Sequence, residues 1–198
     1  MIYDSLAILK RELNNYLNVE VTSTEIEEEG AVLGNIALFE SPDDNGSENL
    51  DNRVVISLVN IKQEKTLKNI PAAEKTNGSI RYKNPPVIVN LFVLFTATHK
   101  KYDNALKMLS QVIAFFQGKN VFTHLDKATK EDAGIVSPFR LIIDLYSSSF
   151  EENNHLWGTL GGKQLPHVLY KVRLTEIERP STKETRETIK DVNAHYNT

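Results

Sequence analysis

Histidine is the residue type in this chain best suited to bind a metal ion or to move a proton near neutral pH. The five histidines are His99, His124, His155, His167 and His195. They form neither an i, i+4 pair nor a His-Glu-x-x-His arrangement, the spacings that place two zinc ligands on one helix face. The chain also has no cysteine, which removes thiolate catalysis, thiolate zinc sites and disulfides. We therefore expect no metal and no cofactor.

Two short polar segments superficially match ligand-binding loops. Residues 157–164 resemble a phosphate loop, but Trp157 stands where the first glycine is required and Gln164 replaces the Ser or Thr that binds magnesium. Residues 43–46 (Asp-Asp-Asn-Gly) place their glycine two positions too early for a calcium loop. There is no Gly-x-Ser-x-Gly elbow and no distinctive carboxylate pair. The sequence therefore disfavours an enzyme.

Charge is distributed unevenly along the chain although the net charge is only −3. From Glu12 to Asn52 there are eleven acidic residues and no Lys or Arg, whereas Arg53 to Lys119 contains eleven basic residues and three acidic ones. The favoured interpretation is pairing between neighbouring segments of one molecule; the alternative is head-to-tail contact between copies. The basic residues are thinly spread and the protein as a whole is acidic, so we do not expect nucleic acid as a partner.

Contact between copies, or with another protein, would use charged residues of these two segments and of the C-terminal tail, together with an aromatic anchor. Trp157 is the only tryptophan, and it either packs a short helix on a sheet with its indole nitrogen hydrogen-bonded or anchors an interface. The candidate interface residues are Glu27, Glu28, Glu29, Lys62, Lys65, Lys68, Arg81, Trp157 and Arg179.

These residues need a scaffold, and the most strongly patterned stretch is 84–118. An apolar run from Val87 to Ala97 predicts a central strand covered on both faces. The helix that follows has an apolar stripe of Leu106, Leu109, Ile113 and Phe116, joined by Ala105 and Val112. We expect Asp103 to cap this helix and Gly118 to end it.

The remaining elements follow from their hydrophobic periods. Residues 2–17 predict an amphipathic helix, and the capping-box spacing of Ser148 or Ser149 with Glu151 or Glu152 predicts a short helix that Gly161-Gly162 ends. Residues 64–84 read as a long loop, which is uncommon without a function. The strand segments, of which the first two look like a hairpin, are 19–24, 31–39, 53–63, 121–125, 138–146 and 167–177.

The elements together predict an α+β fold with a single mixed, mostly antiparallel β-sheet and two or three helices packed on it. At 198 residues the chain fits one domain. We assign that domain to residues 1–178 and a charged, flexible tail to residues 179–198. No apolar stretch is long enough for a membrane span, the first residues do not read as a signal peptide, and the cytoplasm is the expected compartment.

Two segments resemble the N-terminal domain of the cap, or tail-terminator, proteins of phage-tail-like contractile injection systems. The first, 84–121, has a Pro-Pro-led strand containing Asn90-Leu91, then Tyr102, a helix with Ala105-Leu106 and Leu109-Ser110, and a Phe115-Phe116 end. The second contains Leu156-Trp157-Gly158-Thr159-Leu160-Gly161, then Pro166 and the strand 168–172. Residues 2–17 also fit the family's leading helix. These segments cover most of the chain in the family's order.

The resemblance implies a structural protein rather than an enzyme. In this family a ring of six copies caps the end of the inner tube and sheath far from the baseplate and stops their growth. The implied partners are other copies of the chain and the sheath and inner-tube proteins, and assembly occurs in the cytoplasm, with release of the particle left open. The resemblance brings no catalytic residues.

Two other classes of function stay open on the residues alone. One is a small α/β ligand-binding domain or enzyme whose site is assembled from scattered residues; a pocket with converging titratable groups would favour it. The other is an adaptor that binds nucleic acid, which predicts binding that weakens steeply with salt.

Overall fold

A long central strand organises the fold in the computed structural model. The structure describes residues 2–20, 30–39, 49–64, 73–76, 79–83, 87–123, 139–177 and 182–187. The helices are α1 (Ile2–Glu20), α2 (Tyr102–Gly118) and α3 (Phe150–Thr159), with a 3-10 turn at Ile36–Leu38. The strands are β1 (Ala31–Leu33), β2 (Val54–Gln63), β3 (Ala73–Thr76), β4 (Ser79–Lys83), β5 (Val87–Ala97), β6 (Val121–Thr123), β7 (Arg140–Leu145), β8 (His167–Ile177) and β9 (Thr182–Glu187).

Six of the strands form one mixed sheet in the order β1-β2-β5-β8-β7-β6. Only the β1–β2 pair is parallel among its neighbouring strands, and the other pairs are antiparallel. β5 therefore lies between two long partners, which fits an apolar strand whose side chains need cover on both faces. The predicted α+β class with a mostly antiparallel mixed sheet is confirmed.

One face of this sheet packs against α1 and α2. The leucines of the predicted α1 stripe, Leu6, Leu9, Leu13 and Leu17, are buried here. The two helices also bond to each other, since the Tyr16 hydroxyl donates to Gln111 Oε1 over 3.0 Å and Lys119 Nζ lies 3.2 Å from Glu12 Oε2. Leu91, Val93 and Phe95 of β5 complete the core on this side.

The buried stripe of α2 is rotated from the predicted one. It consists of Ala105, Met108, Leu109, Val112, Phe115 and Phe116, while Leu106 and Ile113 are 44% and 38% exposed. Phe115 and Phe116 make aromatic contacts with each other and with Phe122, and this cluster turns their side of the helix inward. The capping prediction was also wrong, because Lys101 is the N-cap residue and Asp103 lies in the first turn. The helix ends at Gly118 as predicted.

The opposite face of the sheet packs against α3. Its core contains residues of β1, β2, β5, β8 and the 3-10 turn together with Trp157 of α3: Val32, Ile36, Val55, Phe92, Leu94, Trp157 and Leu169. Both faces of β5 are therefore covered, as its uninterrupted apolar sequence predicts. Because the central strand is fixed from both sides, the sheet is a rigid support for whatever lies on α2 and α3.

The segment before β2 differs from the predicted hairpin. α1 continues to Glu20, into the predicted strand 19–24, whose other residues lie outside the described ranges. β1 ends at Leu33, because the Asn35 side chain accepts a bond from the Ala37 N–H and starts the 3-10 turn. β1 then pairs parallel to β2.

A second, three-stranded sheet has the order β3-β4-β9. Two of its strands lie in the segment predicted to be a loop, 64–84, and the third lies in the predicted tail, 179–198. β3 and β9 are short and polar and lack the alternation that identifies a half-buried strand in a sequence, and β4 alternates Ile80 and Tyr82 with polar residues over only five positions. β4 and β9 are separated by about a hundred residues of chain and pair with each other. No local sequence pattern predicts this contact.

Candidate interaction surface

Helix α3 is held firmly at both of its ends. The Ser149 hydroxyl accepts a bond from the Glu152 N–H over 3.1 Å, and the Glu152 carboxylate accepts the Ser149 N–H over 3.0 Å. This is the predicted capping box. At the other end Gly161 and Gly162 adopt φ values of +111° and +84°, and the Gly162 N–H donates to the Trp157 carbonyl over 2.7 Å. The helix is therefore a fixed ridge across the sheet.

A β-bulge decides which residues of β2 lie beside this ridge. The register shifts between Leu58 and Asn60, so that Asn60 lies opposite Phe92 and Lys62 opposite Asn90. Without the extra residue Lys62 would lie on the face covered by α1 and α2, since successive side chains alternate between faces. The bulge thus brings Lys62 to the α3 face.

An open groove of about 300 Å³ lies between α3 and the strands β2, β5 and β8. Phe92, Leu156 and Leu169 form an apolar part of its lining. The Lys62 Nζ lies 5.1 Å from the centre of the Phe92 ring, a distance at which the cation is attracted to the ring face. The groove therefore combines an apolar floor with a fixed positive charge on its rim. We call it the α3 groove.

The acidic group of the α3 groove is Glu152. The Ser149 N–H, and then the bond of 3.1 Å from the Tyr146 hydroxyl, hold the pKa of Glu152 below its ordinary value, with a smaller contribution from Lys62. The same bond to Glu152 raises the pKa of Tyr146 above its ordinary value. Glu152 is thus ionised and Tyr146 neutral near pH 7. These groups suit the binding of a mixed apolar and charged side chain better than proton transfer.

Trp157 lies at the other flank of α3 and is only 4% exposed. Its ring centre is 5.1 Å from that of His167, and it lines a hollow of about 120 Å³ together with residues of the 3-10 turn. The indole Nε1 is buried without a hydrogen-bond partner, which differs from the hydrogen-bonded indole expected from the sequence. In the isolated chain Trp157 therefore packs α3 onto the sheet.

Of the nine residues predicted to form an interface, Lys62 and Trp157 have described side chains. The structure brings both to the α3 face, where Lys62 lies over Phe92 and Trp157 packs in the same apolar cluster as Phe92. Arg81 lies on strand β4, opposite Glu74 in the register, and its side chain is not described. The other six, Glu27, Glu28, Glu29, Lys65, Lys68 and Arg179, lie outside the described residues.

Exposed apolar side chains on helices are a feature that the sequence interpretation missed. Phe150, the first residue of α3, is 96% exposed, and on α2 Tyr102 is 65% exposed beside the partly exposed Leu106 and Ile113. Phe150 lies seven residues before the buried Trp157 and so shares its side of the helix, which means that spacing alone gives no sign of its exposure. Leu106 and Ile113 were assigned to the core by their spacing, which fits two adjacent stripes almost equally well.

No three His, Cys, Asp or Glu side chains in the described ranges are grouped so that they could hold a metal ion. No helix in the same part of the chain has the length and apolar character needed to cross a membrane.

Comparison with known proteins gives a family and a fold. The family model described as the Pvc16 N-terminal domain matches residues 6–191. The structure is similar to the cryo-EM structure of the PVC sheath/tube terminator of an extracellular contractile injection system in its extended state, with 16% identity, a TM-score of 0.63 and 100% of this chain covered. It is also similar to the cryo-EM structure of the anti-feeding prophage cap, a tube terminating cap, with 16% identity, a TM-score of 0.59 and 95% of this chain covered.

The chain spans 64% and 60% of the length of these two proteins. No curated protein matches its sequence.

Proposed function

This chain belongs to the Pvc16 N-terminal domain family, and from that premise we propose that it is a structural terminator of a contractile injection system. It caps the end of the inner tube, the sheath or both, and so stops their growth. The observation that carries the proposal is the family match over residues 6–191. The likeness in fold to two terminators, over 100% and 95% of the chain, supports it.

The physical character of the α3 face supports binding rather than catalysis. The ionised Glu152 accepts bonds from Ser149 and Tyr146, and Lys62 lies over Phe92. Each of these groups therefore has a fixed structural partner, whereas a general acid or base near pH 7 needs a pKa close to that pH. A rigid surface with an apolar groove and a charged rim is typical of a protein interface.

We further propose that the terminator works as a ring of copies, with six as the expected number, in contact with sheath and inner-tube proteins. Heterologous contacts close into rings when the rotation between copies allows it. The candidate contact residues are those predicted from the sequence: Glu27, Glu28, Glu29, Lys62, Lys65, Lys68, Arg81, Trp157 and Arg179. Assembly would take place in the cytoplasm, into a particle of the phage-tail type.

Electron microscopy of the purified chain, alone and with the tube and sheath proteins of its own particle, tests the proposal. We expect six-fold rings, and ring density at one end of tubes whose mean length falls as the chain is added. If the chain stays monomeric, leaves tube and sheath lengths unchanged and is recovered with neither protein, the terminator proposal is wrong.

A ligand-binding function is the second candidate, and the observation that favours it is the α3 groove. The groove of about 300 Å³ gathers Lys62, Tyr146, Glu152 and His155 along its wall, and convergence of titratable groups in a concavity is a common sign of a small-molecule site. A thermal-shift screen of small anionic metabolites tests it. This candidate requires a compound that stabilises the native chain, fails to stabilise Lys62→Ala, and has no effect on tube capping.

A further inference from the structure

Two apolar features lie exposed on opposite sides of the six-stranded sheet. On one side, Tyr102, Leu106 and Ile113 of α2 are 65%, 44% and 38% exposed. They follow one another at spacings of four and seven residues and so lie on one side of the helix; we call them the α2 outer face. On the other side, Phe150 at the start of α3 is 96% exposed. An exposed aromatic ring of this kind is a suitable anchor for an interface, because aromatic residues are enriched among interface hot spots.

The charges around these two features have opposite signs. Lys100, Lys101 and Lys107 are exposed around the first turns of α2, with Asp103 as the acidic residue among them. Glu151 and Glu152 follow Phe150 in the first turn of α3, and that helix contains no Lys or Arg. A negative anchor on one side of the molecule thus matches a positive apolar face on the other, which is the complementarity that selects a partner and its orientation.

Phe150 is also fixed in place before any partner binds. It directly follows Ser149, whose hydroxyl and N–H both take part in the capping box with Glu152. The backbone of Phe150 is therefore held in the first helical turn. Little backbone conformational entropy is then lost when Phe150 docks on a partner. Anchors of this kind bind more tightly because less conformational entropy is lost.

We propose that the start of α3 in one copy of the chain docks on the α2 outer face of the next copy. Phe150 packs between Tyr102 and Leu106, and Glu151 pairs with Lys107. Because α2 and α3 lie on opposite faces of one rigid sheet, the two surfaces cannot meet within a copy, and the contact is heterologous. Such a contact repeats from copy to copy and can close a ring. The inference rests on the proposed terminator function, of which it specifies the subunit contact.

Directed cross-linking tests the orientation of the contact, since the native chain has no cysteine. Ser110→Cys and Asn154→Cys each introduce one exposed thiol, one helical turn from Leu106 and Phe150 respectively. We expect a short bis-maleimide to give a two-chain product when the two variants are mixed and none with either variant alone. A product from either variant alone indicates a symmetric contact, and no product in the mixture means that the surfaces do not meet; both results overturn the inference.

Substitution tests the energetics by sedimentation velocity. Phe150→Ala should raise the dissociation constant of self-association about thirtyfold, as removal of an aromatic hot spot does, whereas Tyr3→Ala, which removes a 73% exposed aromatic ring from α1, should not change it. Glu151→Lys should weaken association about tenfold or more, and adding Lys107→Glu should restore it. An unchanged Phe150→Ala variant overturns the inference, as does failure of the second charge reversal to restore association.

These results separate the contact from the function. Suppose that the native chain forms rings or caps tubes while Phe150→Ala leaves self-association unchanged and the two cysteine variants give no cross-linked product. In that case only the α2–α3 contact is wrong. If the native chain does not self-associate at all, the ring is wrong and the contact falls with it. If Lys107→Glu alone forms normal rings but loses sheath or tube protein, the occupant of the α2 outer face is that protein and the inference is overturned.

Discussion

Asn14 of α1 bonds to the backbone of Ala31 at two points, as a neighbouring strand would. The Ala31 N–H donates to Asn14 Oδ1 over 2.7 Å, and Asn14 Nδ2 donates to the Ala31 carbonyl over 2.9 Å. β1 is an edge strand of the sheet, so these two groups would otherwise face away from β2 without a partner. One side chain thus protects an edge that could pair with another chain.

Replacement of Asn14 should therefore be costly although the residue is only partly buried. Asn14→Leu leaves the N–H and carbonyl of the fully buried Ala31 without partners, and we expect the free energy of unfolding to fall by about 2–4 kcal/mol. Asn14→Asp keeps the acceptor and loses the donor, so its effect should be smaller. Urea denaturation followed by circular dichroism measures this. Asn15→Leu, at an exposed neighbouring position, is the control, and equal losses for the two leucine variants would show that the clamp is unimportant.

Trp157 offers a second test of a buried polar group. The indole Nε1 is buried and unpartnered, so Trp157→Phe removes a desolvated donor while keeping most of the apolar volume. We expect that variant to change stability by no more than about 1 kcal/mol, whereas Trp157→Ala should lose about 3–5 kcal/mol because it leaves a cavity under α3. Circular dichroism is the suitable probe, because both variants lack the only tryptophan and unfolding cannot be followed by tryptophan fluorescence. Equal losses for the two variants would mean that the indole N–H has a partner after all.

Local patterns predicted the parts of this fold that local physics determines. The capping box of Ser149 and Glu152 was predicted from two residues three positions apart, and β8 was predicted with its observed ends, because the bonding partners or the alternation lie within a few residues. β5 was recognised because its apolar run needs cover on both faces.

The remainder depends on contacts between distant segments. β1 pairs parallel to β2, and β4 pairs with β9. The sequence of a strand does not show which distant strand it will pair with. The bulge after Leu58 decides on which face Lys62 lies, and a single inserted residue has no signature in an alternating sequence. The same limit applies to the interaction surface, because the exposure of Leu106 depends on how Phe115 and Phe116 orient α2 against Phe122.

His99 should make stability depend on pH near neutrality. Burial lowers the pKa of His99 below its ordinary value of 6.5, and neither ring nitrogen has a hydrogen-bond partner. The unfolded chain therefore binds a proton at a higher pH than the folded one, and the folded state loses stability as the pH falls below about 6.5. Above that pH the imidazole is neutral in both states and the contribution is constant.

Comparison of the native chain with His99→Leu isolates this effect from the carboxylates, which titrate at lower pH. Free energies of unfolding measured from about pH 8 to pH 5 should fall more steeply for the native chain than for the variant. The difference between the two should be flat above the ordinary histidine pKa and grow below it. Parallel curves over the whole range would show that His99 has the same proton affinity in both states.

Reversal of the charge on Lys62, which lines the α3 groove, together with Lys65 and Lys68 separates a role in folding from one in assembly. Lys62 is exposed, and its cation–π contact with Phe92 contributes about 0.5–1 kcal/mol at such a site. We therefore expect the triple variant Lys62→Glu, Lys65→Glu, Lys68→Glu to remain folded, with a circular dichroism spectrum like the native one, but to cap tubes poorly. Lys62→Glu alone should show part of the defect, because it removes the positive charge at the rim of the α3 groove. Lys62→Arg, which keeps the charge and the contact with the ring, is the matched control. Tube-length distributions by electron microscopy measure capping, and normal capping by the folded triple variant would exclude this basic segment from the interface.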